Sequence, residues 1–179
     1  MLQITLPAKE VYDEEKEEFF TIKEQFLQLE HSLVSLSKWE SKWRKPFLSD
    51  KEKTFEEITD YIRCMTITQN VDSDLYNYID QGVINKVNNY IEDPMTATTF
   101  TNLGRNKSRE VITAEIIYYW MVTFNIPMEC QKWHLNRLLT LINVCNIKNT
   151  PSKKMTKKEL ANYNHSLNST RRSALNTKG

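Results

Sequence analysis

Residues 1–32 alternate between apolar and polar positions, which is the pattern of half-buried β-strands. The alternation runs from Leu2 to Leu6 and stops at Pro7, which lacks a backbone donor and ends a strand. Two more short apolar runs follow over 19–22 and 26–33, after an acidic stretch that is typical of a solvated turn. The pattern therefore predicts a small antiparallel β-meander at the start of the chain.

From Leu33 onwards the apolar period becomes that of an α-helix. Leu36, Trp39 and Trp43 recur at intervals of three and four, and Pro46 ends the pattern. Later segments show the same helical spacing of apolar residues, and each is ended by a helix-terminating residue or a change of pattern. The further predicted helices cover 54–65, 82–92, 108–124, 128–147 and a short stretch after Thr156.

Two of these predicted helices carry specific local signals. Thr54 and Glu57 are spaced as a capping box, in which the hydroxyl accepts from the third amide and the carboxylate reaches back. The residues expected on the inner face of this helix are Phe55, Ile58, Ile62 and Met65. The helix over 108–124 is hydrophobic on nearly every face, which predicts burial within the domain or sharing with another subunit.

The elements together predict an α+β protein. A small N-terminal antiparallel β-meander over 1–32 precedes a mainly α-helical part over 33–149, and both belong to one domain, 1–149. Residues 150–179 form a basic C-terminal arm, expected to be partly helical or disordered because its apolar residues are sparse.

The charge is divided unequally between these parts. The chain has 24 basic and 23 acidic residues, a net charge of +1. Residues 150–179 hold seven bases and one acid, a net charge of +6, so residues 1–149 carry −5. Six carboxylates lie between residues 10 and 18. An acidic head and a basic tail are therefore candidates for joining neighbouring copies.

Composition narrows the class of protein. The 179 residues are 40% hydrophobic with only three glycines, which fits a packed core and argues against glycine-rich nucleotide loops. Three cysteines without paired spacing argue against a disulfide scaffold. No 18-residue apolar run or signal-peptide pattern occurs. We therefore expect a soluble protein of a reducing compartment without a membrane partner.

Candidate chemistry is sparse. Cys130 and His134 stand four residues apart, which suits a thiol–imidazole pair or two metal ligands, but a tetrahedral site needs more ligands and a structural role is favoured. His31 is expected to be a packed, hydrogen-bonded residue on a strand face. No phosphate loop, nucleophile elbow or zinc-hydrolase motif occurs. We expect no catalytic residues, metal or cofactor.

Several strings along the chain resemble a family of small proteins from the virion-assembly gene clusters of long-tailed bacteriophages, the tail assembly chaperones. The resemblance is collinear from the first residue to the last. The strings are Leu29–Trp43, Pro94–Thr98, Ile117–Met121, Cys130–Ile142 and Leu175–Gly179.

The resemblance implies a non-enzymatic factor in the host bacterial cytoplasm. Such chaperones coat the tape measure protein, keep it soluble until the tail tube polymerises, and are absent from the mature virion. Other phage tail proteins and further copies of the chain are additional expected partners. The alternative functions are a permanent virion component, such as a connector or tail-completion protein, and a nucleic-acid-binding protein that uses the basic arm.

Two kinds of residue are candidates for partner binding. The tryptophans belong to the residue type that often dominates binding energies, although a place in the core is the alternative for each of them. The basic residues of the arm suit an acidic partner, nucleic acid, or simply a solvated surface. The candidates are Trp39, Trp43, Trp133, Lys153, Lys154, Lys157, Lys158, Arg171 and Arg172.

Overall fold

A computed structural model describes residues 1–13, 18–100, 111–150 and 156–176. The strands are β1 (Leu2–Leu6), β2 (Lys9–Asp13), β3 (Glu18–Ile22) and β4 (Gln25–Leu29). The helices are α1 (Leu33–Trp43), α2 (Phe55–Met65), α3 (Gln81–Glu92), α4 (Ala114–Thr123), α5 (Leu135–Asn149) and α6 (Lys157–Leu175). Short 3-10 helices cover Ser73–Tyr78 and Met128–Lys132. The predicted α+β class is confirmed.

The strands form one antiparallel ribbon instead of the expected meander. β1 pairs with β4 and β2 pairs with β3, so the second pair is nested inside the first. Both pairs share one register, because the numbers of paired residues add to 31 in Leu2↔Leu29 and again in Lys9↔Ile22. The ladder is interrupted after β1 at Pro7, which has no backbone N–H to donate.

The half of the ribbon formed by β1 and β4 belongs to the core. Ile4, Leu6, Leu27 and Leu29 are buried, and so is His31, which lies just beyond β4. Residues 28–30 also exchange backbone hydrogen bonds with residues 65–67 at the end of α2. The predicted apolar face of this segment is therefore confirmed.

Helices α1 and α2 begin at capping boxes. Ser32 and Ser35 cap α1, and the predicted pair Thr54 and Glu57 caps α2. α1 ends at Trp43, three residues before Pro46, and is followed by Arg44 in the left-handed conformation. The predicted inner face of α2 is correct except at its first residue, Phe55, whose side chain is 53% exposed.

The second half of the helical region departs from the predicted boundaries. α4 begins at Ala114, residues 111–113 are not helical, and the predicted start at 108 lies outside the described residues. The predicted helix over 128–147 is divided into a 3-10 helix and α5, with a break at Trp133. The break forms because the backbone there pairs with the end of the ribbon: Leu135 N–H donates to the His31 carbonyl at 2.7 Å.

The chain divides into two compact units, Met1–Asn146 and Ile147–Gly179. The buried hydrophobic residues of the described chain all lie in the first unit. The second unit contains α6, which follows Thr156 as the sequence predicted. All described side chains of α6 are exposed except Leu167, which is half-buried.

Candidate binding surface

Trp39 is a core residue. Its side chain is 1% exposed, and its indole N–H donates to the Glu57 carbonyl at 2.9 Å. The ring packs edge-on against Phe47 and Tyr61, with centroids 5.0 and 6.5 Å away. Trp39 therefore has little surface with which to contact a partner, and its packing fixes α1 against α2.

Trp43 is half-buried and lies at the edge of the same aromatic cluster. Its indole N–H donates to Asp60 at 2.8 Å, and its ring stacks on Trp39 with centroids 6.1 Å apart. The ammonium groups of Lys42 and Lys45 lie 5.6 and 5.7 Å from its ring centroid. Such cation–π contacts leave only part of the ring available to a partner.

Two buried carboxylates hold this region together. Glu57 accepts from the Lys45 ammonium and from the Thr54 backbone N–H, and these bonds hold the pKa of Glu57 below its ordinary value. Glu40 accepts the backbone N–H groups of Phe47 at 2.8 Å and Ala114 at 2.7 Å. The Glu40 carboxylate therefore meets the positive end of the α4 dipole.

The remaining predicted partner-binding residues lie apart from this cluster. Trp133 is half-buried, and the Arg137 guanidinium lies 4.4 Å from its ring centroid. Lys157, Lys158, Arg171 and Arg172 are exposed on α6, near its two ends. Two candidates, Lys153 and Lys154, lie outside the described residues.

The histidines of the core form a polar cluster that is closed to solvent. His31 Nδ1 lies 2.6 Å from the Tyr61 hydroxyl, and its ring contacts His134 with centroids 5.2 Å apart. His134 Nδ1 accepts from the Asn136 backbone, so Nε2 donates to the Tyr90 carbonyl at 3.0 Å. The cluster links the ribbon to α2, α3 and α5, and His31 is packed and hydrogen-bonded as predicted.

The electrostatics of this cluster favour neutral imidazoles. Burial, with a smaller contribution from His134, lowers the pKa of His31 to about 3. Burial also lowers the pKa of His134. His134 directly precedes α5, whereas Cys130 lies in the preceding 3-10 helix, so the two do not share a helix face. Within the described ranges, no three His, Cys, Asp or Glu side chains are placed to hold a metal ion.

The most exposed apolar helix surface in the first unit belongs to α4. One side of α4 is fully buried through Ala114, Ile117 and Met121. On the opposite side Tyr119 is 67% and Val122 66% exposed. Burial of the whole helix within this chain, one of the two sequence predictions, is therefore wrong for the described residues.

Other apolar groups extend this exposed side of α4, which we call the α4 face. Ile116 and Trp120 are half-buried beside Tyr119, and a shallow cavity of about 170 Å³ lies between Trp120 and α5. Glu115 is the only charged residue of the helix. The residues lining the cavity are Trp120, Phe124, Ile142, Asn143 and Asn146.

Sequence reasoning identified the unusual apolarity of this helix but not its exposed residues. The signal was the near absence of polar positions, which predicts a covered helix without saying what covers each side. Tyr119 and Val122 were therefore missed as candidates. The contacts of α4 with α1 cover one side of the helix, and the tertiary structure thereby decides which side faces outward.

Comparisons with protein-family models, with curated proteins and with solved structures find no significant match to the chain. None of the described helices is both long enough and apolar enough to cross a membrane.

Proposed function

We propose that this protein is a bacteriophage tail assembly chaperone that binds the tape measure protein and keeps it soluble during tail morphogenesis. The proposal places it in the host bacterial cytoplasm and outside the mature virion. The collinear strings of the sequence support it at the level of the family. The observation that carries it at the level of the molecule is the α4 face.

The α4 face has the physical properties that a helical client requires. A long amphipathic helix that is not yet enclosed by a tail tube exposes an apolar stripe to water. Such a stripe binds to an apolar helix face or groove through anchors spaced three or four residues apart. Tyr119 and Val122 have this spacing, and an exposed apolar patch on a stable protein marks an interaction site.

Low charge is the second favourable property of this surface. Because α4 carries a single carboxylate and no base, docking an apolar stripe on it desolvates few charged groups. Tyrosine also supplies a large contact area at small conformational cost, as is common at binding hot spots. We expect the Tyr119 ring to contribute most of the binding energy.

The test is co-expression with the tape measure protein of the same phage, followed by pull-down and a solubility assay. The double variant Tyr119→Gln and Val122→Gln is expected to reduce capture about tenfold or more, because it removes an aromatic and an aliphatic anchor. The matched control is Phe55→Gln with Ile67→Gln, which removes the same two kinds of side chain at 53% and 52% exposure elsewhere.

The outcomes distinguish this function from a structural one. Wild-type protein that leaves the tape measure protein insoluble and captures nothing contradicts the proposal. Mass spectrometry of purified particles then decides the alternative, because a permanent virion component is found in the particle and a chaperone is missing from it. Equal losses in the two double variants would remove the α4 face as the client site.

A further inference from the structure

A second apolar site lies between α2, α3 and the loop 47–53. It is a cavity of about 350 Å³ that opens to solvent. Its volume falls within the range of about 300–1,000 Å³ typical of ligand pockets, and it has room for an aromatic ring. The apolar residues that line it are Phe47, Ile58, Tyr61, Ile62, Val87 and Ile91.

We call this cavity the α2–α3 pocket. Its rim is positively charged. Lys51 and Lys53 outnumber the single acid Glu52, and Lys53 Nζ lies 4.7 Å from the Phe47 ring centroid. Neither lysine forms a close ion pair with another described residue, although Lys53 also attracts the Glu57 carboxylate at longer range. The nearby Lys42, by contrast, is paired with a carboxylate. The pocket therefore suits an apolar group with negative charge beside it.

The chain itself carries such a group at the far end of the ribbon. Phe19 is 74% exposed and Tyr12, its cross-strand partner, is 47% exposed, with ring centroids 4.9 Å apart. Glu10 is exposed two residues before Tyr12, on the same face of the strand. The sequence of residues 10–18 contains six acidic residues and one lysine.

We propose that Phe19 of one copy docks in the α2–α3 pocket of a second copy. The aromatic pair supplies the apolar contact, and Glu10 beside it places a negative charge opposite Lys51 and Lys53 on the rim. Charge complementarity of this kind steers encounter and selects the partner. This inference concerns self-association and does not depend on the proposed client.

The shape of the ribbon makes a second copy the natural occupant. Phe19 lies eight residues before Leu27, which is in the buried half of the ribbon. Because strands rise about 3.3 Å per residue, Phe19 lies roughly 26 Å from Leu27 along the ribbon. Its high exposure shows that it does not fill the pocket of its own chain. Contact between two different surfaces is heterologous and builds rings or open filaments from identical copies.

Sedimentation velocity of the full chain at low ionic strength tests the proposal. The wild type is expected to form species larger than the monomer as concentration rises, and added salt should weaken them because rim charges are screened. Phe19→Ser should weaken association about tenfold or more. The matched control Phe26→Ser removes a phenylalanine of the same ribbon that is 70% exposed, and it should associate like the wild type.

A mixing experiment tests whether the ring of one copy binds the pocket of another. Ile91→Trp fills the pocket but leaves Phe19 in place, whereas Phe19→Ser leaves the pocket open. Each variant alone should associate about tenfold or more weakly than the wild type and should be monomeric at the concentration used for mixing. Their equimolar mixture should form a dimer that grows no further, because only one pocket and one ring remain available. Circular dichroism of each variant verifies that the fold is retained, and Lys51→Glu provides a second pocket variant with an unchanged core.

Three results would overturn the proposal. They are a wild type that stays monomeric at every concentration, equal effects of Phe19→Ser and Phe26→Ser, and a variant mixture that stays monomeric. If the wild type is monomeric and Ile91→Trp lowers capture of the tape measure protein, the pocket belongs to the client instead.

Discussion

At the scale of single residues, Glu40 connects parts of the chain that the sequence keeps far apart. Its two carboxylate oxygens accept one backbone N–H from the loop after α1 and one from the first residue of α4, 74 positions away. The side chain is 8% exposed, so water does not replace these bonds. Glu40 therefore sets where α4 begins and holds it against α1.

We expect Glu40→Gln to lower the free energy of unfolding by about 1–3 kcal/mol, because one amide then faces an NH₂ group and a buried donor is left unpaired. Urea unfolding at neutral pH measures the change. Glu52→Gln, at an exposed loop position, is the matched control and should change stability by no more than about 0.5 kcal/mol. Equal stabilities of the two variants would contradict this role for Glu40.

The buried histidines make stability depend on pH. The ordinary histidine pKa of 6.5 applies to the unfolded chain, whereas burial lowers the pKa of His31 to about 3 in the folded protein. Between these values the unfolded chain binds the extra proton, so stability rises with pH and the full contribution is present above 6.5. From pH 7 to pH 5 this group alone should cost about 2 kcal/mol of unfolding free energy.

Urea unfolding of the wild type and of His31→Gln at both pH values tests this dependence. The variant is expected to be less stable than the wild type at pH 7, because the Tyr61 hydroxyl loses its imidazole partner. Its stability should change less between the two pH values. A wild-type stability that is constant from pH 5 to pH 7 would show that His31 is not buried as a neutral group.

At the scale of elements, only one of the two halves of the ribbon packs on the core. β1 and β4 pack on the core, whereas the described side chains of β2 and β3 are exposed, including Tyr12 and Phe19. A two-stranded hairpin without a covered face is marginally stable in water. Pro7 also interrupts the ladder between the halves, so opening of the outer half does not require opening of the inner half.

Amide hydrogen exchange should therefore be slower in the inner half of the ribbon than in the outer half. We expect peptides from 2–6 and 25–29 to exchange on the order of 100-fold more slowly than those from 9–13 and 18–22, because local opening of the outer half costs less free energy. Exchange measured at low protein concentration isolates the monomer. Equal protection of both halves would mean that the outer half is covered, and protection that appears only at high concentration would agree with the proposed docking of Phe19.

Local sequence signals predicted the helix start of α2 correctly, but they did not predict features that depend on long-range contacts. The capping box of α2 depends on residues three positions apart, so Thr54 and Glu57 identify it without any tertiary contact. The break before α5 has no such local signal. It forms because the Leu135 N–H bonds to His31, more than one hundred residues earlier in the chain.

At the scale of the whole molecule, the two compact units make different contributions. The first unit holds the buried hydrophobic residues of the described chain, and α6 of the second unit exposes nearly all of its side chains. Most helical stability in proteins comes from packing of an apolar face, so α6, whose described side chains are almost all exposed, adds little to the stability of the core. The basic arm is therefore a binding element or a solvated one.

Deletion of residues 150–179 should leave the main thermal unfolding transition within about 2–4 °C of the wild type, a shift of less than about 1 kcal/mol for a domain of this size. Differential scanning calorimetry measures it. The same deletion tests the nucleic-acid alternative, which requires retention on DNA that falls steeply with salt and disappears without the arm. A large loss of stability would show that the arm completes the core.

The sequence by itself determined the α+β class, the capping box of α2 and the inward leucines of the ribbon. These follow from periodicity and from contacts between residues a few positions apart. The tertiary structure decided that Trp39 is buried, that one side of α4 is exposed, and that an apolar pocket opens between α2 and α3. These features depend on contacts between residues that are far apart in the sequence. An apolar pattern predicts that a surface is buried, but it does not identify the surface that covers it.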